Sequence, residues 1–234
     1  MPSVRICAAC LVCFLARAAY GQDMILPGDA NPRDAAPTRI FGIIPNYRTA
    51  PSLAHYHPLT AKKKFDIAYA DSSDRGAFVL AAAMAGDEQI TKATPSFGNG
   101  VAGYSRYLGA AYGDLAIGNF MTEAIYPSLL HQDPRYFRHG AGSVRSRLFY
   151  AIGQIFWTHT DRGGTQFNFS EVLGNSTAVA ISNAYYPDHR TAANAVSKLG
   201  IQLALDTAGN VMKEFWPDIN RKLSRKHREA ALPN

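Results

Sequence analysis

GVAGYSRYLGAAYGDLAIGNFMTEAIYPSLL, residues 100–130, is the stretch whose reading decides the fold. Val101, Tyr104, Leu108, Ala111 and Leu115 recur at steps of three and four, the period of a helix with one face turned to a core. Between Val101 and Tyr126 the charged residues are Arg106, Asp114 and Glu123, so the helix is expected to be mostly buried. Gly103, Gly109, Gly113 and Gly118 each weaken a helix. Close approach of a neighbouring helix is the expected compensation. Pro127 is expected to kink or end the rod.

Working toward the N-terminus, residues 91–99 read as a loop. Asp74 caps a helix over about residues 77–90, and Thr60 caps a shorter one with Phe65, Ala68 and Tyr69 facing inward. Residues 22–58 carry six prolines and no sustained periodicity, the pattern of an extended, partly disordered arm. Within it RIFGIIPNY (residues 39–47) is too apolar to float free and is expected to clamp onto the body.

Toward the C-terminus, residues 144–158 predict a helix. Its segment LFYAIGQIFW has one polar side chain, Gln154, and should be surrounded by protein. Asn168 and Glu171 have capping-box spacing and open a fifth helix that ends at Tyr186-Pro187. A sixth, residues 191–216, carries the stripe Ile201, Leu205, Ala208, Met212 and Phe215, and Pro217 is expected to stop it. No internal repeat and no alternating strand pattern is present. The expected architecture is all-α: a single-domain bundle of five to six helices over residues 59–218, preceded by the Pro-rich arm and followed by a basic tail, 219–234.

The ends speak about location. Residues 1–21, MPSVRICAACLVCFLARAAYG, have an early Arg5, an apolar run from Ile6 to Ala16, then Ala19 and Gly21 before Gln22, the pattern of a secretory signal peptide. The run falls short of the ~18 apolar residues of a spanning helix. Cys7 stands three places before Cys10 where a lipoprotein signal wants a leucine-like residue. All three cysteines lie in this leader, so the exported chain is expected to contain no disulfide, cysteine nucleophile or thiolate metal site. The expected location is the periplasm or cell envelope. The chain's net charge is +6, and losing Arg5 and Arg17 with the leader leaves a mild surplus. Much of it sits in Arg221, Lys222, Arg225, Lys226 and Arg228, which after Phe215 and Trp216 suit anionic lipid headgroups better than nucleic acid.

Chemistry concentrates in LLHQDPRYFRHG, residues 129–140. Pro134 pushes Asp133 toward an extended conformation, so the segment is a connector after the long helix. A metal could be held by His131, Asp133 and His139, though the spacing demands none and no metal is assigned. His131 with Asp133 or Glu123 could serve acid–base hydrolysis. Arg135, Arg138 and His139 could contact an anion. Against these stands a structural reading, in which Asp133 pairs with Arg135 across the bend and Tyr136 and Phe137 enter the core. A second polar knot, THTDRGG (residues 158–164), would lie at the far end of a ~21 Å helix and share no site with the first. An enzyme is expected to gather three or more of His131, Asp133, Arg135, His139, Glu123, Arg106 and Asp114 into one pocket.

Two enzyme classes are excluded by missing residues. Helical acid phosphatases and haloperoxidases need a Pro-Ser-Gly-His loop and an Arg-Pro element; Ser146-Arg147 is present and both others are absent. No Gly-x-Ser-x-Gly elbow occurs, and no cofactor is implied.

GIIPNYR, LHQDPRYFR, FNFSEVLGNS, ISNAYYP and EFWPD together resemble a group of exported bacterial helical proteins, over about residues 39–218. The resemblance implies a bacterial-envelope setting and a single domain, and no catalytic or ligand residue. The leading expectation is therefore an envelope protein with a binding or structural role, associated with a membrane surface. A periplasmic hydrolase or metal-binding enzyme centred on residues 131–139 is the alternative.

Overall fold

The computed structural model describes residues 39–50, 53, 56–188 and 191–230; the expected signal peptide over residues 1–21, residues 22–38 of the expected arm and the last four residues lie outside the described part. Six helical rods account for most of it. They are α1 (Ala61–Ser73), α2 (Arg75–Thr91), the rod 100–129, α5 (Val144–Gly153), α6 (Phe169–Tyr185) and α7 (Ala192–Ala230). The chain is all-α in character: the strands are two or three residues long and form three two-stranded ladders. β1 (Arg39–Ile40) pairs antiparallel with β2 (Ile44–Pro45), β3 (Thr49–Ala50) pairs parallel with β4 (Tyr136–Phe137), and β5 (Trp157–His159) pairs antiparallel with β6 (Thr165–Phe167).

The caps form where the side chains call for them. Thr60 accepts from the Lys63 N–H, Asp74 from Gly76, and Asn168 from Glu171, each satisfying a donor that the first helical turn leaves open. The arm clamps onto the body through Asp74, whose carboxylate also receives Arg39 Nη2 at 2.6 Å and the Tyr47 hydroxyl at 2.9 Å.

The long rod is α3 (Gly100–Asn119), a π turn (Phe120–Ile125) and α4 (Tyr126–Leu129). The π turn carries Thr122, Glu123 and Ala124, three consecutive residues, in the interior, and its wider turn shifts the register of the face that follows. The rod ends two residues after Pro127, where His131 takes a left-handed φ of 53° and the Gln132 N–H closes on the Pro127 carbonyl at 3.0 Å.

Several stripe readings are corrected. Phe65 and Tyr69 of α1 are exposed, and Lys64, Ile67 and Asp71 face inward beside Ala68. Val101 is 85% exposed, and Tyr107 and Ala110 join Ala111 in the core. Two of the four named glycines of α3 do not face a crossing helix: a Cβ at Gly109 would meet nothing, and one at Gly103 would strike the Gly98 carbonyl of the preceding loop. A Cβ at Gly113 or Gly118 would meet side chains of α6 and α7, Tyr185 Oη at 3.6 Å and Gln202 Nε2 at 3.8 Å respectively. The close crossing is at Gly174 of α6, where a Cβ would stand 2.9 Å from Thr122 Cγ2 of the π turn.

The helix expected over 144–158 stops at Gly153, and the chain folds back as β5. LFYAIGQIFW is not surrounded; Phe149, Ile152, Phe156 and Trp157 are exposed. Pro217 does not stop α7, which runs on to Ala230. Proline removes one helical hydrogen bond, and here arginines hold the chain on both sides of it. Arg138 and Arg147 donate to the Glu214 carbonyl, and Arg147 also grips Asp218 at 2.7 Å. Trp216 between them is no exposed anchor: it is buried, packs on Phe41, and donates to the Arg39 carbonyl. Phe215 lies under the Arg147 guanidinium.

Candidate functional site

Because the chain folds back after α5, the two polar knots meet. The Asp133 N–H donates to the His159 carbonyl at 2.8 Å, Asp161 N–H to the His131 carbonyl at 2.9 Å, and the Thr158 hydroxyl to the Asp133 carbonyl. Gln132, fully buried, ties the connector to α6: its amide donates to Phe167 and accepts from the Ser170 N–H and hydroxyl. Asp133 is buried and receives Arg135 Nη2 at 2.7 Å and Nε at 3.0 Å. Arg138 turns to the Glu214 carbonyl, His139 stacks on Tyr150, and Arg106 donates to the Phe97 carbonyl. The His131 side chain is exposed, 3.8 Å from Asp161. These groups are engaged locally, and Asp133 and Arg135 share a small concavity with Arg48, Tyr136 and Glu171.

Glu123 and Asp114 lie elsewhere, on a cavity of about 620 Å³ between α2, the long rod, α6 and α7. Its apolar walls include Leu80, Met84, Leu115, Ile201, Leu205 and Met212, and the exposure of Ile201 and Leu205 marks the side open to solvent. One part of the lining is charged, with Arg48, Asp71, Glu123, Asp206 and Lys213 beside Asn175. Arg48 reaches it from the loop between β2 and β3, Asp71 from α1, Glu123 from the π turn, and Asp206 and Lys213, two turns apart, from one face of α7. A second charged spot, Lys198 paired with Asp114 at 2.7 Å, lies nine residues up α3, roughly 13 Å away.

Arg48 organises the charged part. Its Nη1 meets Glu123 Oε1 at 3.2 Å and its Nη2 lies 3.7 Å from Glu171 Oε2, just behind the cavity wall. Asn175 donates to both Glu171 and Asp206. Burial pushes the Glu123 carboxyl up to about 8, aided by Asp71 and opposed by Arg48 and Lys213. Burial and then Asp206 push Glu171 up to about 8 as well. Asp71 is raised by burial. Lys213 goes the other way, down to about 8, through burial and then repulsion from Arg48.

Two observations matter for chemistry. Four carboxyls face two cations, so the cluster is short of positive charge and makes up the difference with protons. Glu123 is 3% exposed, and its Oε2 has no hydrogen-bond partner although it lines the cavity. A buried acceptor left open costs about 1–3 kcal/mol. Lys213 likewise makes no ion pair within 4 Å among the described residues. No three His, Cys, Asp or Glu groups among those residues are placed to hold a metal ion.

Sequence reading singled out Glu123 and Asp114 but missed Arg48, Asp71, Glu171, Asp206 and Lys213. They are far apart in sequence, and their burial was the missing signal. No protein-family model, curated protein or solved structure matches this chain.

Proposed function

We propose that this chain is an exported protein of the bacterial envelope with a binding role, and that its cavity receives a small molecule with an apolar body and a cationic amine head. The observation that carries the reading is the open Glu123 Oε2 within a cluster of surplus carboxyls. An ammonium group there would donate to Glu123, replace its proton, and leave Arg48 undisturbed. The apolar walls would take the remainder, and the volume suits a molecule of ordinary ligand size. GIIPNYR and FNFSEVLGNS, two stretches of the family resemblance, are those that bring Arg48, Glu171 and Asn175 to this place.

A second reading, an enzyme, draws on the cavity lining: a carboxyl, Glu123, that burial pushes up and an ammonium, Lys213, that burial pushes down, both toward about 8, line one cavity, as groups that exchange protons with a substrate would. A hydrolase or metal site on residues 131–139 would instead have to draw on His131 and His139.

Calorimetry with octylamine, octanol and octanoate, which share one tail, tests the binding reading. Octylamine should bind most tightly and release protons near neutral pH, and Glu123→Gln should weaken it by roughly tenfold, the loss of one charge-assisted hydrogen bond. Octanoate binding as tightly as octylamine would refute a cationic head. Mg²⁺, Ca²⁺ or Zn²⁺ displacing the amine at equal concentration would instead assign the carboxyls to a metal.

A further inference from the structure

Residues 144–184 expose many of their large apolar side chains, although Ala151, Ile155 and Val179 are buried. On α5, Arg145, Leu148, Phe149 and Ile152 share the outward face, opposite buried Arg147 and Ala151. The face continues through exposed Phe156 and Trp157. Trp157 meets Phe167 edge-on across the β5–β6 ladder at 6.3 Å, and Phe167 meets Phe169 at 5.0 Å. Phe169 and Leu173, one turn apart on α6, extend it, and no charged residue follows Glu171 until Asp188.

The charges around this face have one sign. The acids between residues 124 and 187 are Asp133, Asp161 and Glu171. The first and last are buried, and Asp161 is held by Lys64 Nζ at 2.8 Å. Arg145 and Arg162 are exposed. α5 packs against α7, and Asp218 joins them: it takes Arg147 at 2.7 Å and Arg221 at 2.7 Å. The exposed Arg221 and Lys222 therefore begin the basic end of α7 on the Arg147 side of α5, behind the apolar face that Arg145 shares.

We infer that this aromatic face, built from α5, the β5–β6 hairpin and the first turns of α6, docks on an anionic lipid surface. Aromatic rings and aliphatic side chains enter the headgroup boundary, and flanking guanidinium and ammonium groups meet lipid phosphates. The anchor that sequence placed at residues 215–216 is here supplied by residues 149–173, with the basic helix end beside it. No helix among the described residues is long and apolar enough to cross a membrane. Docking is thus peripheral.

The chain carries its own reporter. Of its two tryptophans, Trp157 is 52% exposed and Trp216 is 7% exposed, so docking should shift the emission of Trp157 to the blue. The full chain is titrated with vesicles of phosphatidylcholine alone and of phosphatidylcholine with phosphatidylglycerol. Binding is expected on the anionic vesicles, with the blue shift. The exposed pair Phe149→Ser and Phe156→Ser should weaken it by roughly tenfold or more. Arg145→Gln with Arg162→Gln, Arg221→Gln and Lys222→Gln should weaken it on the order of 100-fold and reduce its salt dependence. Equal binding to both vesicle types, no shift in emission, or binding indifferent to the Phe149 and Phe156 changes would overturn the inference. So would a concentration-dependent dimer that those changes dissolve, since the face would then belong to a second protein copy.

Discussion

Asp133 shows how much one side chain can fix. Its carboxylate is sealed from solvent, receives the Arg135 N–H at 2.9 Å, and takes the guanidinium side-on through Nε and Nη2. One residue thus sets the bend before Tyr136-Phe137, whose strand holds the arm through β3. In Asp133→Asn one oxygen becomes an amide whose N–H groups face the guanidinium, leaving donors against donors. The change should cost about 1–3 kcal/mol, as for other buried charge-assisted pairs, and lower the melting temperature accordingly. His131→Ala should cost far less, because that side chain is exposed. A Glu214→Gln change reads the same principle on α7. Burial pushes Glu214 up, but Arg147 first, then the N–H groups of Gly140 and His139 and the Tyr136 hydroxyl, hold it below the usual carboxylate range. If Asp133→Asn melts with the parent protein in calorimetry, the bend is held by the backbone ladder to His159 instead.

Among the elements, α6 crosses closely over the π turn. Thr122 Cγ2 would lie 2.9 Å from a Cβ on Gly174, and two backbone atoms would lie at 3.1 Å, one of them the Thr122 nitrogen. Alanine normally gains about 1 kcal/mol over glycine inside a helix. Here the methyl would push α6 off the segment that carries Glu123, and overpacking of this kind costs about 1–3 kcal/mol. Gly174→Ala should therefore destabilise the fold and weaken amine binding together, while Gly109→Ala, with open space around it, should stabilise. Urea unfolding of the two variants decides the matter. A gain at position 174 would mean that the helices separate freely. The helices themselves were legible in sequence because caps and breakers act locally: Thr60, Asp74 and Asn168 did what their side chains dictate. Their inward faces were legible less often. Lys64, Asp71, Asn175, Asn210 and Glu214 are buried while Phe149, Ile201 and Leu205 are not, so a rule that puts apolar residues inside turns α1, α5 and α7 the wrong way. The π turn adds a register shift that no period of 3.6 reveals. The site escaped for the same reason, since its charges look like solvated surface until the fold encloses them.

At the scale of the whole molecule, the enclosed charges make stability a function of pH. Glu123 and Glu171 each rise from an ordinary value of 4.5 to about 8 in the folded protein. Between those values the folded state holds more protons than the unfolded chain, so stability is greatest near the lower value and falls as pH climbs toward 8. Lys213 drops from 10.5 to about 8, so above 8 the unfolded chain holds the extra proton and stability recovers toward 10. On the acid side, Asp74, Glu214 and Asp218 are held low. Burial opposes this in each, but Arg39 overcomes it at Asp74 and Arg147 at the other two. Their contribution is present above the ordinary carboxylate range and lost as pH falls through their folded values. The expected profile has its maximum near pH 5, a minimum near pH 8, and a partial recovery just beyond, which the buried tyrosines, their hydroxyls pushed up by burial, turn down again as pH nears their ordinary value of 10. In a domain of this size about 1 kcal/mol moves the melting temperature by about 2–4 °C, so melts at single pH steps from 4 to 10 can trace it. Glu123→Gln should flatten the limb between 5 and 8, and Lys213→Met should remove the rise above 8. A bound amine should act in the same direction as Glu123→Gln, because it holds that carboxylate ionised at the expense of its proton. A profile that climbs from pH 5 to pH 8 would mean that water reaches the carboxyls freely, and the case for an ammonium group beside Glu123 would fall with it.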